Sequence, residues 1–205
     1  MDEIFPGMNN NDMSNIVEDA IKYIKQLFDE NSDGHDANHS IRVYNTAVRL
    51  AEHYPDADRL VIELAAILHD VDDYKLFNTE NNANAREFLI SKNVSSERID
   101  RICDVINSVS FSKNKDCRPD SIEGCIVQDA DRLDAMGAVG VARTFAYGGR
   151  HGRSIEESRE HFYDKLLRLK DMINTPEAEK IAEERHKVLE EYIKELEMEL
   201  DLRNI

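Results

Sequence analysis

Residues 64–75 read LAAILHDVDDYK, so an apolar helical run ends in a histidine that three aspartates follow closely. Burial of a helix does not by itself require this chemistry. His69 and Asp70 could bind one cation together, through an imidazole nitrogen and a carboxylate oxygen, if other helices supplied the remaining ligands. The alternative interpretation is a helix end at which a histidine complements the helix dipole, followed by a solvated acidic loop.

The helical pattern continues on both sides of this stretch. Apolar stripes with helical spacing begin near Ser14 and recur to about Leu200. The strand-like run Cys-Ile-Val at 125–127 has no second run to pair with, and a lone strand is not stable. We therefore predict an all-α, single-domain helical bundle.

The predicted domain covers residues 14–205, after a flexible tail at 1–13. Its last part, 154–205, is predicted to be a closing pair of helices. Five of the eight glycines fall in residues 137–153. Because glycine tolerates backbone conformations that other residues avoid, we expect this segment to be the flexible part of the domain.

Helix-start signals support the predicted boundaries. Candidate N-caps precede three helices, at Asp56 or Asp58, at Ser154 and at Thr175. Ser154 and Glu157 have the spacing of a capping box, in which each side chain bonds the other residue's backbone N–H. Thr175 is followed by Pro176, which is favoured at the first position of a helix.

The charge balance restricts the partners. The chain has 205 residues, with 26 Lys and Arg against 42 Asp and Glu, and a net charge of −16. This charge repels a phosphate backbone, so we expect no nucleic-acid partner, although a metal could still hold a small phosphate ester. No apolar run approaches the length of about 18 residues that spans a membrane, so we expect a soluble protein without a membrane partner. The pattern carries no signal for an oligomeric state.

The N-terminal sequence and the cysteines suggest the compartment. The first residues, MDEIFPGMNNNDMSN, have neither a basic region nor an apolar region of the secretory type, which predicts a cytoplasmic protein. Cys103, Cys117 and Cys125 are odd in number and form no Cys-x-x-Cys pair. They therefore indicate neither a disulfide framework nor a thiolate zinc site.

Two further polar clusters stand apart from residues 64–75. His39 lies in HDANHSIRV, where His35 and Arg42 would share its helix face, either as an exposed polar edge or as one wall of a site. In VQDADRLDAMG, Asp131 and Asp134 share a helix face, whereas Asp129 does not fall with them. Acids among apolar residues of a buried helix are unusual and would be stabilised by a cation.

Together these segments resemble a known family. HDANHSIRV, LAAILHDVDDYK and VQDADRLDAMGAVGVARTFAYGGRHGR are similar to the HD-domain superfamily of metal-dependent phosphohydrolases, especially its small bacterial uncharacterised branch. The resemblance covers roughly residues 20–200. It implies that one divalent cation is bound by the superfamily's histidine, His-Asp pair and distant aspartate, which are here His39, His69, Asp70 and Asp131.

The implied ligands indicate the class of cation. Imidazoles and carboxylates suit manganese, iron, nickel, cobalt or zinc, whereas magnesium is less natural because it prefers oxygen ligands. Four protein ligands leave two octahedral positions for water and a substrate phosphate oxygen. A cation placed in this way would lower the pKa of the water and neutralise charge on the phosphate, which predicts a hydrolase.

Asp73 is the candidate catalytic acid or base. It lies one helical turn after His69 and Asp70 if that helix continues. Many family members have glutamate at this position, so the shorter aspartate could act directly on the water or leaving oxygen, or only from the outer shell. His35 and Asp36 could orient His39 or reach the substrate, or simply begin a helix.

The expected substrate is a small phosphorylated molecule, most simply a nucleotide. Lys75, Arg143 and His151 are candidate phosphate ligands, and Tyr147 is a candidate stacking partner for a base. A structural role is the alternative for each, and for Arg42 an ion pair with a neighbouring acid is favoured over phosphate binding. Among family activities we favour nucleoside triphosphate pyrophosphohydrolysis. The alternatives are a nucleotide monophosphatase, a cyclic phosphodiesterase, a non-catalytic metal- or nucleotide-binding regulator and a structural helical partner.

Overall fold

A computed structural model describes residues 10–28, 37–74, 76–110, 114 and 117–201. Within these ranges the chain is helical and contains no strand, so the predicted all-α fold is confirmed. The α-helices are α1 Asn10–Leu27, α2 Ala37–Ala51, α3 Arg59–Leu68, α4 Ala83–Ser91, α5 Ser96–Val109, α6 Ile122–Asp134, α7 Gly137–Arg150, α8 Ile155–Asp164 and α9 Pro176–Leu200. A 3-10 helix, Leu166–Met172, joins α8 to α9.

Helix α3 is the centre of the core. It packs against α1, α2, α5 and α6, and all its residues from Leu60 to Leu68 except Glu63 are buried. A helix surrounded in this way must be apolar on every face, which explains its sequence. Asp58 caps its start by accepting a hydrogen bond from the N–H of Val61 at 3.3 Å, as predicted. Because α3 ends inside the bundle, the side chain of His69, which directly follows it, is almost fully buried.

The predicted helix-start signals of the C-terminal part are also confirmed. The Ser154 hydroxyl accepts a hydrogen bond from the N–H of Glu157 at 3.1 Å, and the Glu157 carboxylate accepts one from the N–H of Ser154 at 2.8 Å. Thr175 is the N-cap of α9, and Pro176 is its first residue. At the other end of the chain, α1 begins at Asn10, earlier than the predicted start near Ser14.

The expectation that residues 137–153 are the flexible segment is wrong. Most of this segment forms α7, and among its glycines only Gly137 and Gly152 have positive φ, at 66° and 67°. At Gly140 and Gly148 the helix needs glycine for close packing. A Cβ at Gly140 would meet the carbonyl oxygen of Ala135, and one at Gly148 would meet the Ser158 hydroxyl.

The buried carboxylate of Asp129 fastens α9 to α6. It accepts hydrogen bonds from the N–H groups of Asn174 and Thr175 at 2.8 and 2.9 Å, and from the Thr175 hydroxyl at 2.8 Å. These contacts stabilise the start of α9 and account for an acid in the core without a cation.

In the described part of the chain, no helix is both long and apolar enough to cross a membrane.

Candidate metal centre

Two histidines and an aspartate meet where α2 and α3 pack together. His39 lies on α2, and His69 and Asp70 directly follow α3. The Nε2 atoms of the two imidazoles are 3.2 Å apart. Asp70 Oδ2 lies 3.5 Å from the Nε2 atom of His39 and 3.4 Å from that of His69. Even without a fourth ligand, these three side chains have the spacing of metal ligands.

Asp131 adds a second carboxylate from α6. Its Oδ1 atom lies 3.3 Å from His39 Nε2 and 3.9 Å from His69 Nε2. The imidazoles are almost fully buried, and 23% of the Asp131 side chain is exposed, so the cluster has an open side. The structure thus brings together all four residues that the resemblance implies as ligands.

Hydrogen bonds on the far side of each imidazole determine which nitrogen faces the cluster. His69 Nδ1 lies 2.9 Å from the carbonyl oxygen of Ala66, and His39 Nδ1 lies 2.7 Å from Asp134 Oδ2. A carbonyl or an ionised carboxylate can only accept, so both Nδ1 atoms carry hydrogen. In the neutral imidazoles both Nε2 lone pairs then face each other, an arrangement that needs a proton or a cation between them. The residues therefore fit a divalent cation with mixed nitrogen and oxygen ligands.

The electrostatics of the cluster favour a positive charge at its centre. Burial lowers the pKa of His69, but the carboxylates of Asp70 and Asp131 outweigh it and raise the pKa to about 9. Burial raises the pKa of Asp131, but the hydrogen bond and charge of His39, with the charge of His69, lower it to about 2. Ionised carboxylates that already attract a proton in this way also attract a metal cation.

The aspartates after His69 have different environments. Helix α3 ends at Leu68, and the following residues form turns rather than the further helical turn considered above for Asp73. Asp72 accepts hydrogen bonds from the N–H groups of Asn84 and Ala85 at 2.9 and 3.0 Å, which stabilises the start of α4. Both Asp72 and Asp73 line the cavity that contains the metal cluster, so the hydrogen bonds of Asp72 to α4 are what distinguish the two.

This cavity has a volume of about 490 Å³, within the range of small-molecule sites. The four candidate ligands and Asp73 line one side of it. Of the predicted substrate-binding residues, Arg143 and Tyr147 also line it, whereas Lys75 lies outside the described residues, as do His35 and Asp36. Residues that we did not predict complete the wall, among them Asn107, Ser110, His161 and Lys165.

His151 is not among the described residues that line the cavity. Its ring stacks on Tyr147 with centroids 3.9 Å apart, and its Nδ1 lies 2.9 Å from the Tyr147 carbonyl oxygen. Arg153, which does line the cavity, lies 4.9 Å above the same tyrosine ring. His151 therefore contacts Tyr147, and its role as a substrate ligand stays a prediction.

The sequence contains a signal for the missed residues of α8. His161 lies on α8, the helix that the capping box begins, and Lys165 directly follows its last residue. Both residues could be recognised as polar, but their position in the cavity lining depends on how α8 packs. Arg42 has the structural role favoured from sequence, because its Nε donates to Asp134 Oδ1 at 2.7 Å.

Comparison with known proteins identifies the family. The HD domain matches residues 36–136. The chain is 39% identical to the Bacillus subtilis protein YpgQ over 186 residues, which cover 87% of this chain and 90% of YpgQ. The crystal structure of YpgQ in complex with ADP aligns at 37% identity and a TM-score of 0.77, covering 91% of this chain and 98% of that one.

A second solved relative carries the family name. The HD-superfamily hydrolase from Bacillus thuringiensis aligns at 37% identity and a TM-score of 0.74, covering 93% of this chain and 99% of that one. A predicted HD-superfamily hydrolase from an uncultured Thermotogales bacterium aligns at 26% identity and a TM-score of 0.60, covering 93% and 92%. The resemblance to the small bacterial branch is thus confirmed. The chain belongs to the HD-domain family and is a metal-dependent phosphohydrolase of that type.

Proposed function

We propose that this protein hydrolyses nucleoside triphosphates between the α and β phosphates, releasing a nucleoside monophosphate and pyrophosphate. The observation that carries the proposal is the composition of the cavity, in which a buried cluster of metal-binding side chains lies beside arginine, lysine and tyrosine. YpgQ, which is similar over most of its length, has been crystallised with ADP. That complex supports a nucleotide as the ligand class.

In this proposal His39, His69, Asp70 and Asp131 hold one divalent cation. A bound cation of this class makes a water molecule more acidic and neutralises negative charge on phosphate oxygens. Asp73 accepts the proton of the attacking water at its carboxylate, or donates one to the leaving oxygen. Its place on the same cavity wall as Asp70 supports this role.

Other residues of the cavity lining bind the rest of the substrate. Arg143, Arg153 and Lys165 supply positive charge for the phosphate chain, and Tyr147, whose ring contacts His151 and Arg153, supplies an aromatic edge for the base. A chain with net charge −16 repels long polyanions, whereas local cations can capture a compact triphosphate. Free nucleotides are therefore preferred over nucleic acid.

The test is a product analysis with manganese-loaded protein. Nucleoside triphosphates, diphosphates, monophosphates and cyclic monophosphates are offered separately, and products are resolved by chromatography and phosphorus NMR. We expect monophosphate and pyrophosphate from a triphosphate, and little cleavage of an oligonucleotide at matched phosphate concentration. The variant His69→Ala is the inactive control.

Other products would assign a different activity. Release of inorganic phosphate from monophosphates, or opening of cyclic nucleotides, would identify a phosphatase or a phosphodiesterase in place of the proposed enzyme. Tight nucleotide binding without any turnover would indicate a regulator. Each result would overturn the proposed bond specificity.

A further inference from the structure

Three basic side chains converge on the carboxylate of Asp134. Its Oδ2 atom lies 2.7 Å from His39 Nδ1 and accepts hydrogen bonds from Arg42 Nη2 at 3.0 Å and Arg143 Nη1 at 2.6 Å. Its Oδ1 atom accepts one from Arg42 Nε at 2.7 Å. The Asp134 side chain is only 5% exposed, so these bonds form away from most of the solvent.

The direction of these hydrogen bonds is unambiguous. A guanidinium has no acceptor, so both arginines must donate, and the carboxylate that receives them is ionised. An ionised carboxylate cannot donate to His39, so the imidazole donates through Nδ1. The lone pair of His39 is thereby placed on Nε2, the atom that lies 3.3 Å from Asp131 and 3.5 Å from Asp70.

Arg143 connects the same carboxylate to the cavity lining. It lies on α7, donates through Nη1 to Asp134 and also lines the cavity. A guanidinium has five N–H donors in a rigid fork, so those not used by Asp134 keep a defined orientation. One buried carboxylate thus holds a candidate metal ligand and a candidate substrate-binding cation.

We propose that Asp134 is a positioning residue that sets the tautomer and orientation of His39 for cation binding and, through the same carboxylate, the orientation of Arg143 in the cavity wall. Arg42 restrains the carboxylate from its outer side. The effect on His39 concerns metal affinity alone, whereas the effect on Arg143 rests on the proposed phosphate substrate. Asp134 itself need not touch the substrate.

The same helix provides a matched control. Asp129 is also a buried aspartate of α6, but its hydrogen bonds go to Asn174 and Thr175 at the start of α9. A merely structural role of Asp134 predicts that Asp134→Asn and Asp129→Asn behave alike. A positioning role predicts that only Asp134→Asn changes metal affinity.

The experiment measures Mn²⁺ affinity by competition with a chelator, together with thermal unfolding. In Asp134→Asn the amide NH₂ can donate to His39 Nδ1, which favours the tautomer with hydrogen on Nε2 and removes the ligand lone pair. We expect about 10- to 100-fold weaker Mn²⁺ binding, the range found when outer-shell partners of metal ligands are changed. Asp129→Asn should lower the melting temperature by about 3 °C or more and leave Mn²⁺ affinity within about twofold.

A second readout follows the tautomer directly. Nitrogen-15 NMR of the histidine rings in the metal-free protein should show hydrogen on Nδ1 of His39 in the wild type and a shift toward Nε2 in Asp134→Asn. A folded Asp134→Asn protein with wild-type Mn²⁺ affinity and an unchanged His39 tautomer would overturn the proposal.

If Asp134→Asn does not fold, Arg42→Gln takes its place. Arg42 lies at the edge of the site with 38% of its side chain exposed, so its loss should be tolerated. We expect Mn²⁺ binding to be about 3- to 10-fold weaker. This loss is smaller than the one expected for Asp134→Asn because Arg143 still holds the carboxylate in Arg42→Gln. Unchanged Mn²⁺ affinity in this variant would contradict the proposal. None of these measurements needs turnover, so they remain decisive if the proposed nucleotide specificity is wrong.

Discussion

The two walls of the cavity are built differently. The metal-binding wall comes from α2, the end of α3 and α6, all within residues 36–136 that match the HD domain. The remaining wall residues Arg143, Tyr147 and Lys165 come from α7 and the residues around α8, which lie beyond that match. The candidate metal ligands thus lie in the shared domain, whereas these candidate substrate-binding residues lie in the C-terminal helices.

Removing a metal ligand should have the largest effect. In Asp131→Asn we expect metal binding to weaken by at least about 100-fold and activity to be lost. Changing an outer-shell partner of a metal ligand can already weaken metal binding by about 100-fold, and Asp131→Asn removes the charge of a ligand itself. Metal analysis and far-UV circular dichroism of the purified variant test this. Full metal occupancy in Asp131→Asn would show that the metal-binding wall is wrongly assigned.

Asp73 separates proton transfer from metal binding on the same wall. Asp73→Asn keeps the size of the side chain and removes its charge, so kcat should fall roughly 100-fold while metal stays bound. Steady-state kinetics and metal analysis are needed together. An unchanged kcat would place Asp73 outside the reaction, and loss of metal would make it a ligand.

Lys165→Met tests whether the cavity residues around α8 bind the substrate. Lys165→Met should raise the KM for a triphosphate about 10-fold, the effect of losing one hydrogen bond to a charged group, with a smaller change for an aryl phosphate. His151→Ala is the matched control, because His151 stacks on Tyr147 and is not among the described residues that line the cavity. Equal increases in KM for Lys165→Met and His151→Ala would show that lining the cavity does not distinguish the substrate-binding residues.

The smallest expected effect concerns the N-terminal cap of α8, the helix that precedes Lys165. Ser154→Ala removes the N-cap of α8 and should lower the free energy of unfolding by about 1 kcal/mol. For a chain of this size the melting temperature should fall by about 3 °C. Metal affinity should not change, because Ser154 does not touch the metal-binding wall. A change in metal affinity would mean that the two walls are coupled through α8.

Sequence reasoning performed well where the signal is local. The predicted helix starts at Asp58, Ser154 and Thr175 are all present, with side-chain caps at Asp58 and Ser154. Capping depends on residues within one helical turn, so it can be read from a short stretch of sequence. The glycine-rich segment was misread because glycine composition does not distinguish flexibility from close helix packing.

The candidate ligands were found through the order of His39, the pair at 69–70 and Asp131 in a recognised pattern. Imidazole and carboxylate groups together suit one cation, but that these four residues form one site is what the resemblance implied. The sequence separated Asp129 from Asp131 and Asp134 by helix face, but it did not reveal the partners of Asp129 and Asp134. Asp129, Asp131 and Asp134 lie within six positions, yet one anchors α9, one faces the metal cluster and one holds His39.

By itself, the sequence determined the helical class, the helix starts at Asp58, Ser154 and Thr175 and the kinds of side chain available for metal binding, because these depend on neighbours along the chain. The tertiary structure decided which carboxylate meets which partner. Asp134 and His39 are 95 residues apart in sequence, and Lys165 reaches the cavity only through the packing of the C-terminal helices. Such contacts depend on how helices pack in three dimensions, so no short window of the sequence contains them.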